Sequence, residues 1–300
     1  MRWRKLGRIY VPDGRLPWAR SHAANPVAEP IEGEMFRIYF SSRDEKNRSS
    51  IGFVEIDITD PTRILQESVT PVLGPGDLAM FDDSGASIGC IVPVGQQRYL
   101  YYMGWRLTVT VPWQNSLGLA ISEDKGAPFT RCSRFPVVEL NETDPYTISY
   151  PWVAIESGKF RMWYGSNTAW GAKKEDMRHL IKYAESSNGI HWTRNNTIAI
   201  DFNGPDEYAI CKPCVRKDRD PYRMWFCARG KSYRIYHATS NDGVAWHRIS
   251  EPAIDLSDSG WDSEMVEYPF VFDHKGDRYM LYAGNAFGKS GFGLAVLDKE

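Results

Sequence analysis

The chain has 300 residues and a formal net charge of -2 at pH 7, so it has no electrostatic motive to bind nucleic acid or an anionic membrane. No window approaches the roughly 18 consecutive apolar residues of a membrane helix, and the start, MRWRKLGRIYVPDGR, lacks the apolar run of a signal peptide. Five cysteines at irregular spacing do not indicate a disulfide framework. We expect a reduced, cytoplasmic protein with a small or neutral partner, without nucleic acid, membrane, metal or cofactor.

Strand-like segments run along the whole sequence, beginning with RWRKLGRIYV near the N-terminus. After it, one pattern of aromatic and apolar residues ending in small or polar ones occurs five times: FRIYFSSRD from Phe36, YLYYMGW from Tyr99, FRMWYGS from Phe160, YRMWFCARG from Tyr222 and YMLYAGN from Tyr279. A strand pattern that recurs in this way predicts a repeat architecture.

Each copy of this pattern has a strand before it and a strand after it. The preceding strand contains one of five anchor residues, which lie about 60 residues apart: Pro26, Gly89, Pro151, Pro213 and Pro269. The following strands read SIGFVEID, SLGLAISED, LIKYAESSNG, RIYHATSNDG and GFGLAVLDK. Asp and Gly residues predict hairpin turns after several of them, most clearly over 122–129 and 240–246.

Repeats of three or four antiparallel strands cannot bury both faces alone, so they must stack, and strand-rich repeats stack radially. The sequence therefore predicts an all-β, five-bladed β-propeller. We expect one domain over residues 1–300, with repeats beginning near residues 20, 83, 145, 207 and 263. The sequence stops after the third strand of the last repeat, so the N-terminal strand is predicted to complete the fifth blade.

These units, together with Asn25-Pro26, Glu267-Tyr268-Pro269 and the strands FRIYFSSRD and RMWYGS, resemble the five-bladed arabinanase, levansucrase and invertase superfamily. That superfamily contains glycoside hydrolases and related phosphorylases. The resemblance covers nearly the whole sequence and implies a carbohydrate-active enzyme.

The anchors allow the five repeats to be compared with one another. Two positions before the anchor stand Ala24, Ser87, Ser149, Cys211 and Glu267. A carboxyl in one repeat alone predicts chemistry, because glycosidic cleavage needs a proton donor and a second carboxylate. In the resembled superfamily a glutamate two residues before a proline is the acid, which implies this role for Glu267. The superfamily's glutamate usually lies in an earlier blade.

Other acids near the anchors divide into two classes. Asp82, Asp144, Asp206 and Asp262 recur seven positions before the anchor, so we expect them to cap or bridge blades. Asp83, Glu207 and Glu264 occupy positions that vary between repeats, and variation at a shared rim is typical of a site grafted on a scaffold. These three are the candidate catalytic partners of Glu267, with solvated loop carboxylates as the alternative.

Asn25 departs from the superfamily pattern. Many of its hydrolases carry an aspartate directly before the first-blade proline, and this sequence has an amide there. The usual nucleophile or base is then missing, unless Asp83 or another acid replaces it. Asn25 could also simply close a turn.

Predicted substrate-binding residues lie in the loops between the second and third strands and beside the anchors. Indole faces, amides and guanidinium groups suit a sugar ring and its hydroxyls. The candidates are Arg20, His22, Asn25, Arg43, Trp105, Trp170, Lys212, Arg229 and Asn285. Trp163, Trp192, Trp225 and Trp246 recur in register and are assigned to the core. Cys211 and Cys214 lie on a predicted strand and do not indicate a redox pair.

The leading hypothesis is a glycoside hydrolase in which Glu267 protonates the leaving group. An inverting mechanism is favoured, because acids on different blades leave room for a water, at separations of roughly 6.5–9.5 Å. Arg20, Arg43, Lys212 and Arg229 near one mouth motivate an alternative, a glycoside phosphorylase. Asn25 motivates a third, a glycan-binding propeller without catalysis.

Overall fold

The protein is described by a computed structural model that covers residues 1–124, 128–171, 176–218 and 221–299. Its regular elements are twenty β-strands and one four-residue helical turn. In chain order these are β1 (Trp3–Tyr10), β2 (Ser21–Pro30), β3 (Met35–Arg43), β4 (Ser49–Asp57), β5 (Asp60–Glu67), β6 (Gly85–Val94), β7 (Gln97–Leu107), β8 (Trp113–Ser122), β9 (Thr130–Arg131), β10 (Ile148–Glu156), β11 (Lys159–Ala169), β12 (Arg178–Ser186), β13 (Thr193–Ile200), β14 (Ala209–Lys217), β15 (Tyr222–Arg229), β16 (Tyr233–Ser240), β17 (His247–Arg248), β18 (Glu267–His274), β19 (Asp277–Ala283), α1 (Asn285–Gly288) and β20 (Phe292–Leu297). The all-β prediction is confirmed.

The strands form antiparallel meanders that follow the sequence repeats. One eight-stranded sheet contains β2 to β9 and another contains β10 to β17. Each consists of two meanders joined by a single parallel residue pair, Ser49 with Gly85 in the first sheet and His179 with Ala209 in the second. A four-stranded sheet has the order β1-β20-β19-β18. The strands of each predicted repeat are therefore neighbours in one sheet.

The first strand pairs antiparallel with the last. The pairing runs from Trp3 opposite Leu297 to Tyr10 opposite Phe292. The side chains of Trp3 and Ile9 are buried in the main hydrophobic core. The two ends of the polypeptide are thereby held in one sheet.

A β-bulge interrupts the first strand of every repeat at its anchor. The register shifts lie between Ala24 and Val27, Ile88 and Cys90, Ser149 and Trp152, Cys211 and Cys214, and Glu267 and Phe270. The residue before each anchor proline is left-handed, with φ of 54° at Asn25, 44° at Tyr150, 53° at Lys212 and 57° at Tyr268. An extra residue in one strand locally changes its direction, so side-chain alternation cannot be counted through the anchor.

The recurrent aspartates were predicted to cap or bridge blades, and in three repeats they join strands of one meander. Asp82, Asp144 and Asp262 are buried, and each accepts a hydrogen bond from a tyrosine of its repeat: Tyr102, Tyr164 and Tyr282. Each also pairs with a cation, which is Arg131, Arg194 or Lys5 respectively. In the fourth repeat Asp206 is exposed instead.

The repeated aromatic residues build the core. Trp163 and Trp225 are completely buried, and Trp192 and Trp246 pack against the same core, as predicted. The predicted turn at 240–246 is present, with Gly243 at a φ of 74° and its N–H bonded to Ser240 Oγ at 2.8 Å. The turn predicted at 122–129 lies partly outside the described residues. Within the described ranges, no helix has the length and apolar character needed to cross a bilayer.

Candidate functional site

A cavity of about 390 Å³ lies where residues from all five sequence repeats converge. Among its lining residues are His22, Asn25 and Arg43 from the first repeat, Trp105, Trp113 and Asn115 from the second, Tyr150, Asn167 and His179 from the third, Cys211, Arg229 and Tyr233 from the fourth, and Tyr268 and Phe287 from the fifth. Five of the predicted binding residues meet here: His22, Asn25, Arg43, Trp105 and Arg229.

Two rows of paired residues cross the eight-stranded sheets and supply much of this lining. Row one runs Arg43, Ser49, Gly85, Trp105, Asn115 through successive strand pairs. Row two runs Asn167, His179, Ala209, Arg229, Tyr233 in the same way. The rows occupy equivalent positions in the two sheets, and all of their members except Gly85 and Ala209 line the cavity.

Row one has a side-chain hydrogen bond within the row and another to a neighbouring residue. The Trp105 indole donates to Ser49 Oγ at 2.6 Å, and Arg43 donates to Asn47 Oδ1 at 2.7 Å. The Arg43 guanidinium lies 5.9 Å from the centre of the Trp105 ring. These contacts fix an aromatic face and a cation at one side of the cavity.

Several of the buried polar atoms that lack a partner among the described residues belong to the cavity lining, while others, such as Trp3 Nε1, Trp152 Nε1 and Trp225 Nε1, lie elsewhere. Six lining residues each have a buried polar side-chain atom that bonds to no described residue: Asn25 Oδ1, Asn115 Oδ1, Ser149 Oγ, Asn167 Nδ2, His179 Nε2 and Arg229 Nε. Buried polar atoms are nearly always hydrogen-bonded in proteins, so such a group marks a place for a polar ligand or ordered water.

Both histidines of the lining are neutral at physiological pH. Burial lowers the pKa of His22 to about 4, and the charges of Arg43 and Lys289 act in the same direction. Burial and the nearby Arg229 charge lower the pKa of His179 to about 4. The positive charge of the lining therefore comes from Arg43 and Arg229.

Glu267 lies behind the cavity wall. It is the first residue of β18 and is completely buried, and neither of its carboxyl oxygens accepts a hydrogen bond from a described residue. Burial raises the pKa of Glu267 well above its ordinary value, Cys211 adds to the rise and Arg229 opposes it. Its electrostatic neighbours Cys211, Tyr150 and Tyr233 line the cavity. The carboxyl therefore keeps its proton to a higher pH than an exposed glutamate does.

The three predicted partner acids lie elsewhere. Asp83 accepts hydrogen bonds from the Ala79 N–H and the Ser84 hydroxyl, which hold its own loop. Glu207 forms an ion pair with Arg248. Glu264 is exposed and precedes β18. None of them lines the cavity, and among the described residues that do, none is Asp or Glu.

Four predicted binding residues also lie outside the lining. Arg20 is exposed and pairs with Glu45. The Asn285 amide oxygen accepts from the N–H groups of Glu264 and Met265. Trp170 packs edge to face, at 5.4 Å between ring centres, against Trp113, which lines the cavity.

Lys212 is the fourth of these residues. Its ammonium group is buried and donates to the Gly89 carbonyl at 2.6 Å. Burial lowers the pKa of Lys212. At the bulge before Pro213, the side chain of this lysine thus bonds to another repeat and does not line the cavity.

His179 and Asn115 are lining residues that the sequence prediction missed. Both stand at or near the start of a third strand, where the other repeats carry Ser49 and Tyr233. The position varies in every repeat, and that variation was the one available signal. Among the described residues, no group of three or more His, Cys, Asp or Glu is arranged to hold a metal ion.

Comparisons with known proteins give relatives in sequence and in fold. Two uncharacterized proteins of Mycobacterium tuberculosis are each 56% identical over 299 residues, which is 99% of this protein and 100% of theirs. No protein-family profile matches the sequence.

Among solved structures, a glycosyl hydrolase from Bacteroides ovatus has a TM-score of 0.74 at 15% identity, covering 99% of this protein and 94% of its own length. A thermostable family-43 glycoside hydrolase has a TM-score of 0.71 at 14% identity, covering 93% and 91%. A protein solved as an RGII complex has a TM-score of 0.75 at 18% identity, covering 99% and 92%. The protein is thus similar in fold to solved glycoside hydrolases.

Proposed function

This protein belongs to the same family as the two uncharacterized M. tuberculosis proteins, and we propose that it is an enzyme that cleaves a glycosidic bond. The observation that carries this proposal is the set of six unpaired buried polar atoms around one cavity with aromatic walls. Saccharides present hydroxyl groups in fixed directions and apolar ring faces, and this lining offers partners for both. The glycoside hydrolase neighbours and the RGII complex support the choice of ligand class.

The scaffold of this site is proposed to be one domain over residues 1–300 with five blades. The repeats begin near residues 20, 83, 145, 207 and 263, and each supplies four strands if β1 completes the last blade. Its support is the order of the meanders and the pairing of β1 with β20. The cavity would then lie at one mouth of the central channel.

Glu267 is proposed as the proton donor. A carboxyl whose pKa is raised keeps its proton to a higher pH and can transfer it to the leaving oxygen as the bond breaks. Cys211 and Tyr150 interact electrostatically with this carboxyl, Tyr268 is its neighbour in the sequence, and all three line the cavity. The proton would pass to the substrate through this part of the wall.

The acceptor of the glycosyl group distinguishes two versions of the reaction. Inverting hydrolysis needs a carboxylate to activate water, and Asp83 or Glu207 would have to leave its present contacts to do so. Phosphorolysis needs no such base, because the phosphate anion is itself the nucleophile. The absence of Asp and Glu from the described lining, with Arg43 and Arg229 present, favours the phosphorylase as a second candidate.

The test is a screen of aryl glycosides and natural glycans with the wild-type protein and Glu267→Gln, each with and without inorganic phosphate. Product formed without phosphate supports hydrolysis, and product that requires phosphate supports phosphorolysis. Saccharide binding without turnover by the wild-type protein would leave a glycan-binding propeller as the function.

A further inference from the structure

We propose that row two of the cavity is a subsite for an oxyanion carried by the saccharide, a carboxylate or a phosphate ester, held by Arg229 with Asn167 and His179. The inference rests on the proposed function only in taking the cavity as the saccharide site.

Arg229 has no acidic partner among the described residues, unlike several other arginines of the protein. Arg98, Arg131, Arg161, Arg194, Arg248 and Arg278 each pair with a carboxylate. Arg229 instead lies among three aromatic rings, with its guanidinium carbon 5.6 Å from the centre of Tyr208, 5.4 Å from Tyr233 and 5.8 Å from Phe287. Such rings stabilise the cation and orient its plane without using its N–H donors.

The neighbours of Arg229 in row two are also without partners. His179 and Arg229 both pair with Ala209, on either side of it, and His179 pairs with Asn167. Arg229 Nε, His179 Nε2 and Asn167 Nδ2 are buried and bond to no described residue. Nε of arginine and Nδ2 of asparagine are obligatory donors, and a neutral imidazole can present an N–H at Nε2. Donors without acceptors, beside one positive charge, suit an anion.

Row one differs and explains why the anion is assigned to row two. Its indole and hydroxyl bond each other, and Arg43 is bonded to Asn47. Its unpaired atom, Asn115 Oδ1, is an acceptor and suits a hydroxyl group. Row one therefore offers an unpaired acceptor beside an arginine that is already bonded to Asn47, whereas row two offers an arginine beside donors that bond to no described residue.

Arg229 forms no ion pair with a described residue, and the described lining contains no Asp or Glu. Glu267 interacts with it electrostatically, and burial raises the pKa of that carboxyl, which disfavours its negative charge. A negatively charged substituent on the saccharide would thus meet a guanidinium that has no ion-pair partner and whose Nε bonds to no described residue. Charge-assisted hydrogen bonds of this kind are the strong ones in proteins.

The test is binding to an array of neutral, uronic-acid and phosphorylated saccharides, followed by calorimetry on the bound classes. We expect the wild-type protein to retain acidic saccharides. Arg229→Gln should weaken them on the order of 10- to 100-fold, the loss expected for charge-assisted hydrogen bonds. Arg229→Lys should keep part of the affinity for a phosphate ester and less for a carboxylate, because lysine lacks the planar fork. Melting temperatures of the variants check that they fold.

The matched control is Arg106→Gln, which removes an exposed arginine outside the cavity whose guanidinium bonds Gln114. It should leave acidic binding unchanged. The proposal would be overturned if the protein bound neutral saccharides only or no saccharide at all. It would also be overturned if Arg229→Gln and Arg106→Gln lost equal affinity for acidic saccharides. Arg229-dependent binding of inorganic phosphate with no preference for acidic saccharides would also overturn it, since the anion would then be free in solution. These readouts need no turnover, so they stand apart from a failure to find glycosidase activity.

Discussion

Glu207 and Arg248 form a two-pronged ion pair in which each terminal guanidinium nitrogen lies 2.6 Å from one carboxylate oxygen. In three other repeats a buried aspartate, one position earlier, pairs with a cation through a single contact to one carboxylate oxygen. The Arg248 guanidinium also lies 5.1 Å from the ring of Phe226, which stands where those repeats carry a tyrosine. The pair therefore replaces the aspartate contact of the fourth repeat.

Glu207→Gln should destabilise the fold by about 3 kcal/mol, because it leaves a mostly buried arginine without its counter-charge. Urea unfolding measures the change. Arg134→Gln is the control, since its ion pair with Asp77 is exposed, at 71% and 78% of the two side chains, and should matter by less than about 1 kcal/mol. Unchanged stability with a large loss of turnover would instead indicate that Glu207 acts in catalysis.

Glu267→Gln should reduce turnover on the order of 10²–10⁴-fold, the usual contribution of a positioned proton donor. Affinity for the saccharide should change little, because the amide is nearly isosteric. Glu264→Gln is the matched control: that side chain is exposed and outside the cavity, so turnover should persist. A greater loss at Glu264 than at Glu267 would contradict the assignment of the proton donor.

The same substitution should change how stability depends on pH. The pKa of Glu267 is raised well above its ordinary value of 4.5, so the folded protein holds a proton that the unfolded chain releases above that pH. Its contribution to stability is complete below about pH 4.5 and declines as pH rises toward the folded pKa, by up to about 1.4 kcal/mol per pH unit. Unfolding of the wild type and Glu267→Gln from pH 4 to pH 9 should show the wild type losing stability relative to the variant. Parallel curves would mean that the carboxyl is ionised in the fold.

Deleting residues 1–11 should lower the melting temperature and promote aggregation. The deletion exposes the edge of β20, removes Trp3 and Ile9 from the core and leaves the buried Asp262 without Lys5. Calorimetry and light scattering measure the two effects. Lys5→Met separates them, since it breaks the ion pair and keeps the strand. An intact melting temperature in the truncated protein would show that β1 is dispensable.

Much of the framework was predictable from local pattern. The strands of each repeat and the buried tryptophans follow from residues that recur in register. Arg43, Trp105 and Arg229 were predictable as lining because each ends a second strand or follows it at the same rim.

The predictions that misplaced side chains concern long-range pairing. Glu207 looks like a variable rim acid, and only its contact with Arg248, 41 residues later, shows what it bonds. Lys212 has a left-handed backbone conformation at a bulge. The direction of its side chain therefore cannot be deduced from residue spacing. Asn285 was predicted to face a sugar, and its amide instead holds the loop before β18.

The bulge at each anchor proline gives the preceding residue the same backbone conformation, although its side chain differs between repeats. The left-handed residue is an asparagine, a lysine or a tyrosine according to the repeat, and all four examples keep a similar φ. A left-handed residue other than glycine, asparagine or aspartate costs roughly 1–2 kcal/mol, so the lysine and the two tyrosines carry this cost before their anchors. The same backbone conformation thus accommodates an asparagine, a lysine that bonds to another repeat and two tyrosines that bond to each other. Exchanging the residues among these four positions would change the side chains of the interior while the surrounding sheets keep their register.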